Sequence, residues 1–191
     1  MSSELTFTQR LHKALLLARI PASVLMAAAI LFFAKPTFCS LIAGFVIITI
    51  GESLRIWASG HIHKSAEVTQ TGPYAMCRHP LYLGHFIITL GFCAATSSIY
   101  PFLIVIPAFF VMYMPTWKNE ERYLIGEFGE QYRSFMANTP ALLPQFNRAC
   151  LSGTFNWQLV RQHREWNHIL LLLAGIVIMV VIGWLRGTLQ G

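Results

Sequence analysis

Gly72-Pro73-Tyr74-Ala75-Met76-Cys77-Arg78-His79-Pro80-Leu81-Tyr82-Leu83-Gly84 is the stretch that decides how this chain is read. It is a polar, proline-punctuated knot between two apolar runs. Arg and His beside a bilayer are costly unless they find partners or serve a purpose. Pro80 has a fixed φ and no N–H, which suits the first position of a helix. It also biases His79 toward extended backbone. The knot therefore launches an apolar helix and leaves a polar cluster at its mouth.

Working outward, apolar runs of membrane-spanning character occupy residues 14–34, 38–59, 80–95, 99–117 and 167–185. Most approach the ~20 residues needed to cross the hydrocarbon. The chain is 55% hydrophobic and 12% charged, with a mean hydropathy of +0.54. Soluble domains carry about 25% charged residues. These figures predict an all-α polytopic membrane protein with about five transmembrane helices, and one integral-membrane domain over residues 1–191. The run at 14–34 exceeds the 7–15 apolar residues of a signal peptide and reads as a retained span.

The net charge of +6 does not point to nucleic acid, because most charges flank the spans. With a first span running from inside to outside, Arg10, Lys13, Arg19, Arg55, Lys64, Arg78, Lys118, Arg122, Arg133, Arg148, Arg161 and Arg164 fall inside. Only Lys35 and Arg186 fall outside. That bias predicts a cytoplasmic N-terminus and puts the knot and residues 119–138 on the cytoplasmic face. Leu124, Phe128, Tyr132 and Phe135 share one face of the latter segment, which predicts a charged amphipathic helix. Gly126 and Gly129 invite a bend in it, and Pro107 a kink in the fourth span.

Free N–H groups at the start of the helix after Pro80, together with Arg78, suit an anion. One turn on, Tyr82 and His85 share a face. Gly84 permits close approach by a ligand or another backbone, and Tyr74 supplies an aromatic plate. Glu120 and Glu121 are placed to pair with Arg78 or to meet a cationic ligand, and Lys118 to snorkel or to bind an anion. The competing reading makes Arg78 and His79 interfacial anchors, Tyr82 part of an aromatic belt and the acidic pair a helix-end preference. Glu52 and Arg55, three residues apart, suggest a local pair or one with the loop. His61 and His63 make an incomplete ligand set, so no metal is expected. Cys39, Cys77, Cys93 and Cys150 form no Cys-x-x-Cys pair and read as small apolar fillers.

Three strings carry a family resemblance: Arg55-Ile56-Trp57-Ala58-Ser59-Gly60-His61, Thr71-Gly72-Pro73-Tyr74, and Arg78-His79-Pro80-Leu81-Tyr82-Leu83-Gly84. Downstream stand Glu120-Glu121, Leu124, Phe128-Gly129, Tyr132 and the Pro140–Pro144 segment. Together they resemble the isoprenylcysteine carboxyl methyltransferases and their bacterial relatives over about residues 52–144. The resemblance implies an integral-membrane, S-adenosylmethionine-dependent methyltransferase without a Rossmann sheet, in the bacterial inner membrane. It implies that Tyr74, Arg78, His79, Pro80, Tyr82 and Gly84 contact the cofactor beside Glu120 and Glu121. A lipophilic or lipid substrate would enter sideways from the bilayer. Arg78, His79, Glu120, Glu121 and Lys118 are then the catalytic candidates. Thr116 stands where many relatives have a basic residue. Residues 145–191 extend past the resemblance, and it assigns them no role.

A carboxylate acceptor, such as a prenylcysteine-like group, is already ionised and needs positioning and desolvation more than a base. An amine or thiol would need a proton acceptor, with His79 or Glu121 the first candidates. An NADPH-dependent reductase of the sterol-reductase type and a non-enzymatic lipid-binding protein are the two alternatives.

Overall fold

The computed structural model describes residues 23–62, 67–163 and 165–189. Among them the chain is helical and contains no strand. The elements are α1 (Ser23–Phe33), α2 (Phe38–Ser59), α3 (Pro73–Met76), α4 (Pro80–Ala95), α5 (Tyr100–Phe128), α6 (Glu130–Asn138), a 3-10 turn (Arg148–Leu151), α7 (Trp157–Gln162) and α8 (Glu165–Leu185).

Three of these, α2, α5 and α8, are long and apolar enough to cross a membrane. The two other expected spans are shorter. α4 has 16 residues, about 24 Å at 1.5 Å per residue, against a hydrocarbon core of about 30 Å. Residues 14–22 of the first expected span lie outside the described residues. Large apolar side chains stand exposed along the outer faces, among them Phe45, Val46 and Ile50 of α2 and Leu170, Leu171 and Val177 of α8. A lipid environment suits such surfaces, since hydrocarbon solvates them as well as protein does.

α2 starts where Thr37 and Ser40 close a reciprocal capping box, a motif that satisfies two orphan N–H groups. It then packs along α4 at very short range. A Cβ on Gly51 would meet the Gly84 carbonyl oxygen at 2.8 Å, and one on Gly91 would meet the Ile48 backbone nitrogen at 2.9 Å. Gly44 sits equally close to Gly91 and Ala95. The glycines recur seven residues apart on each helix (44 and 51, 84 and 91), so they form one stripe facing one stripe. Small residues let membrane helices approach until backbones touch.

At one end of the bundle the turns interlock. The Lys35 amide donates to Thr96 O at 2.9 Å. The Arg186 guanidinium after α8 donates to the carbonyls of Phe32 and Ala34. Inside, α5 contributes Val105, Phe109, Tyr113 and Trp117 to the main core, with Met26, Ile30 and Met179. Phe109 and Tyr113 stack with centroids 4.4 Å apart.

The separate amphipathic helix expected at 119–138 is not what forms. α5 continues past Trp117 to Phe128 without interruption, because residues 117–125 contain no glycine or proline to stop it. The break comes at Gly129, whose φ of 54° favours glycine. α6 then turns Tyr132 and Phe135 inward.

Candidate active site

At the other end of the bundle the knot meets α5 and α6. Pro80 occupies the first turn of α4 with His79 at the N-cap. The Arg78 amide donates to Pro140 O at 2.9 Å, the His79 amide to Ala141 O at 3.1 Å, and the Gln145 amide to Met76 O at 3.0 Å. The proline segment after α6 thus satisfies the knot's backbone, as a buried irregular segment requires.

The side chains converge as well. Arg78 Nε donates to Glu121 Oε1 at 2.9 Å, and its Nη2 lies 2.8 Å from the same oxygen. Arg78 Nη1 donates to the carbonyls of Met136 (2.9 Å) and Thr139 (2.8 Å). His79 Nε2 is 3.1 Å from Glu121 Oε1, and its ring stacks on Trp117. The anion suited to the start of α4 is therefore the protein's own Glu121. Glu120 differs: its side chain is half exposed, and it accepts one bond from the Tyr82 hydroxyl at 2.6 Å.

A cavity of about 800 Å³ opens here, within the ordinary range for small-molecule sites. Tyr74, Arg78, His79, Pro80, Tyr82 and Glu120 all line it. Three sequence candidates do not. Glu121 is turned to Arg78 and His79 and is outside the lining. Lys118 is exposed and lies outside the lining, because one residue along a helix turns a side chain by about 100°. Gly84 is buried in the α2–α4 seam, where an added Cβ would meet Arg55 Cγ at 2.6 Å. Its close approach is to a helix, not to the cavity.

The Tyr74 hydroxyl and Thr69 Oγ1 are buried at this cavity with no hydrogen-bond partner. Burial pushes the Tyr74 phenol upward, so it is a neutral donor. Burial likewise pushes Tyr132, on the same lining, up to about 12. Buried polar atoms without partners are uncommon, and these two, with the unpartnered Nε of Arg55 on the same lining, suit a polar ligand. Cys77, just behind, is pushed up to about 12 by burial, the state of an inert thiol.

A second polar cluster comes from the C-terminal extension. Arg55 makes two bonds to Glu165, at 3.2 and 2.9 Å, and Ser59 Oγ donates to Glu165 Oε1 at 2.8 Å. Arg55 stands 3.6 Å from Glu52, so the expected local pair exists but is the longer of its two. His168 Nδ1 is 2.9 Å from Glu52 Oε2. Glu52, Glu165 and His168 offer ligand atoms within 4.8 Å of one another. Arg55 and His168 reach the main cavity. Sequence reasoning missed Glu165 and His168. The available signal was an acid and a histidine, three residues apart, at the mouth of an otherwise aliphatic span.

His61 has a packing role. It is buried, its Nδ1 is 2.9 Å from Trp57 O, and a Cβ on Gly72 would strike its ring at 2.6 Å. His63 lies outside the described residues.

Residues 24–131 match the phospholipid methyltransferase family, which is more than half of the chain. The chain belongs to that family. Among its relatives, the nickel-cobalt-cadmium resistance protein NccN of Alcaligenes xylosoxydans xylosoxydans is 36% identical over 109 residues, 56% of this chain and 51% of that one. The cobalt-zinc-cadmium resistance protein CzcN of Cupriavidus metallidurans is 32% identical over 106 residues, 54% and 47% of the two chains. The protein-S-isoprenylcysteine O-methyltransferase of Schizosaccharomyces pombe is 30% identical over 98 residues, 51% and 42%. The chain spans about half the length of the curated relatives it matches. No solved structure matches it. The match to the phospholipid methyltransferase family takes in the knot and the Glu120–Glu121 pair. It ends before α8, so Glu165 and His168 are outside it.

Proposed function

We infer that this chain is a membrane methyltransferase using S-adenosylmethionine and a lipophilic acceptor that reaches the cavity from the bilayer. One observation carries the reading. Two polar strings far apart in sequence, around His79 and around Glu120, line one cavity in a chain of a methyltransferase family. The lysine and arginine bias favours a cytoplasmic site. Residues 1–191 are read as one integral-membrane domain.

The residues present fit the cofactor. Tyr74 and Thr69 have unsatisfied polar atoms for its hydroxyl, amine or carboxylate groups. Glu120 and the faces of Tyr82, Tyr113 and Tyr132 offset a cationic centre, as aromatic faces do. When bound, the cofactor supplies an electrophilic methyl group on a sulfonium. Arg78, Glu121 and His79 act as positioning residues, because Arg78 and His79 are both committed to Glu121. They fix the start of α4 against α5 and α6, holding Tyr82 and Glu120 in register. Ile62, Val68, Leu81 and Leu124 are also on the lining, and apolar walls that keep water from the attacking atom strengthen electrostatics in a site.

The test is titration of detergent-purified protein with S-adenosylmethionine and with NADPH, followed by transfer of labelled methyl into a lipid extract. Saturable S-adenosylmethionine binding, weakened at least tenfold by Glu120→Ala and Tyr74→Phe together, is expected. Binding of NADPH alone would replace this reading with a reductase.

A further inference from the structure

We propose that His168, held by Glu52, is the general base of the site, and that the acceptor is a lipophile whose nucleophile carries a proton, a thiol or an amine. The inference rests on the methyl-transfer reading and adds the acceptor class to it.

The first argument is the cost of a carboxylate acceptor. Among the described residues lining the cavity, the guanidinium groups are Arg55 and Arg78. Arg78 is spent on Glu121 and two carbonyls. Arg55 has its charge paired with Glu165 and, at 3.6 Å, with Glu52. Its Nη atoms are bonded to Glu165 and the Leu81 carbonyl, which leaves its buried Nε as the one position without a hydrogen-bond partner. Glu67 and Glu120 add negative charge to the same lining. A carboxylate brought there from lipid meets only guanidinium groups that already carry an acid as ion partner, and burying an unpaired charge is expensive. A neutral thiol or amine meets no such cost.

The second argument is the dyad. With Nδ1 committed to Glu52, the Nε2 of His168 is the nitrogen that a ligand in the cavity would meet. A carboxylate on one ring nitrogen fixes the tautomer and supports the imidazolium that forms when the other takes a proton. Anchoring α8 does not account for the pair, because Glu165 already ties α8 to Arg55 and Ser59 of α2. Glu52 also keeps a buried Oε1 without a partner, a costly feature for packing alone. The groups facing the dyad are Arg55, Glu165 and the ring of His85, 6.1 Å from that of His168. The sequence-based candidates for this role, His79 and Glu121, are bonded to each other, and Glu121 also to Arg78.

The step balances. The acceptor's lone pair forms a bond to the methyl carbon as the carbon–sulfur bond breaks. The sulfonium takes that electron pair and becomes a neutral thioether. The proton of the thiol or amine passes to His168 Nε2, and the charge that results is offset by Glu52.

The experiment has two arms. In the first, a long-chain alkyl thiol, the matched amine and the matched carboxylate are offered with labelled S-adenosylmethionine. Wild type should methylate the thiol or amine. His168→Gln should lower kcat for it by about 10²–10⁴-fold, the usual worth of a general base, with KM and cofactor binding within about threefold. An acidic aryl thiol, already ionised, should recover most of that loss, and Glu52→Gln should give a smaller deficit of the same pattern. In the second arm, without cofactor, the alkyl thiol should protect His168 from acylation by diethyl pyrocarbonate, read by mass spectrometry. This arm uses wild type and does not depend on a variant's folding. Transfer to the carboxylate alone, undiminished thiol transfer by His168→Gln, or unprotected His168 would overturn the assignment. So would stoichiometric zinc binding lost on Glu52→Gln, which would make the cluster a metal site. If S-adenosylmethionine still binds in those cases, the methyl-transfer reading stands and only the base falls. If it does not bind wild type, both fall.

Discussion

α4 is held at its body and at its start by opposite means. Along the body, the glycine stripe brings α2 and α4 together by shape, with backbone against backbone. At the start, Arg78, His79 and Glu121 hold the helix to α5 and α6 by charge. A shape contact is non-directional and unforgiving of added volume. A charge contact is directional, and the removal of one partner leaves the other stranded in a poor solvent. A rigid α2–α4 pair thus serves as the frame, and the hydrogen-bonded joint orients the cavity wall.

Removing the guanidinium should break the joint most severely. In Arg78→Ala the Glu121 carboxylate, nine-tenths buried, loses its main partner, and the carbonyls of Met136 and Thr139 lose their donor. Breaking a buried pair on one side costs about 3–5 kcal/mol. A fall in the detergent-solubilised protein's thermal midpoint, with loss of cofactor binding, is expected. Glu121→Gln keeps the shape and should cost less. Paired replacement of Arg78 and Glu121 by methionine should be less damaging than Arg78→Ala alone, a non-additivity that marks a coupled pair. Additive losses would mean that the joint is not one unit.

The seam should fail by volume. Gly51→Val directs its side chain at the Gly84 carbonyl and the Ile88 backbone, neither of which can swing aside. Overpacking of this kind costs about 1–3 kcal/mol. The same exchange at Gly84 should be as damaging to stability, since it is directed at the Gly51 carbonyl and at Arg55 Cγ. Stability unchanged in both variants would show that the helices stand further apart than described.

The joint also has a pH signature. Cys77 is raised from 9.0 to about 12 by burial. Between those values the folded chain keeps a proton that the unfolded chain releases. Stability therefore falls as pH rises through that window. Thermal midpoints in the alkaline range should drop less steeply in Cys77→Ala than in wild type. Equal slopes would mean that the thiol is not buried as described.

The boundaries of α2 and α4 were legible because each is framed by punctuation: Pro36-Thr37 before one, Pro80 at the start of the other, Thr96 after it. The convergence of the knot with the acidic pair was legible through charge placement, which put both on one face. The end of α5 was not, since a change from apolar to charged residues marks a membrane surface, not a helix end. At Gly84 the sequence left a ligand and another backbone both open, because a glycine stripe on one helix does not name its partner stripe; the α2 backbone is what approaches it. Glu165 and His168 were missed for a related reason. Their partners, Glu52 and Arg55, are more than 100 residues away, and only folding brings α8 against α2.

Gly126 sharpens the comparison by its lack of neighbours. It lies in the last turns of α5, and a Cβ there would meet nothing within 4 Å. Its helical backbone gains nothing from glycine, and a glycine inside a helix costs about 0.5–1 kcal/mol relative to alanine. Gly126→Ala should therefore raise stability by about that amount, where the glycines of the seam allow no such gain. Thermal unfolding of the two classes of variant side by side separates the readings. A gain at Gly126 with losses at Gly51 and Gly84 follows from geometry at each position. A loss at Gly126 would instead indicate that the end of α5 must bend there, as part of admitting ligand to the wall that carries Tyr123 and Leu124.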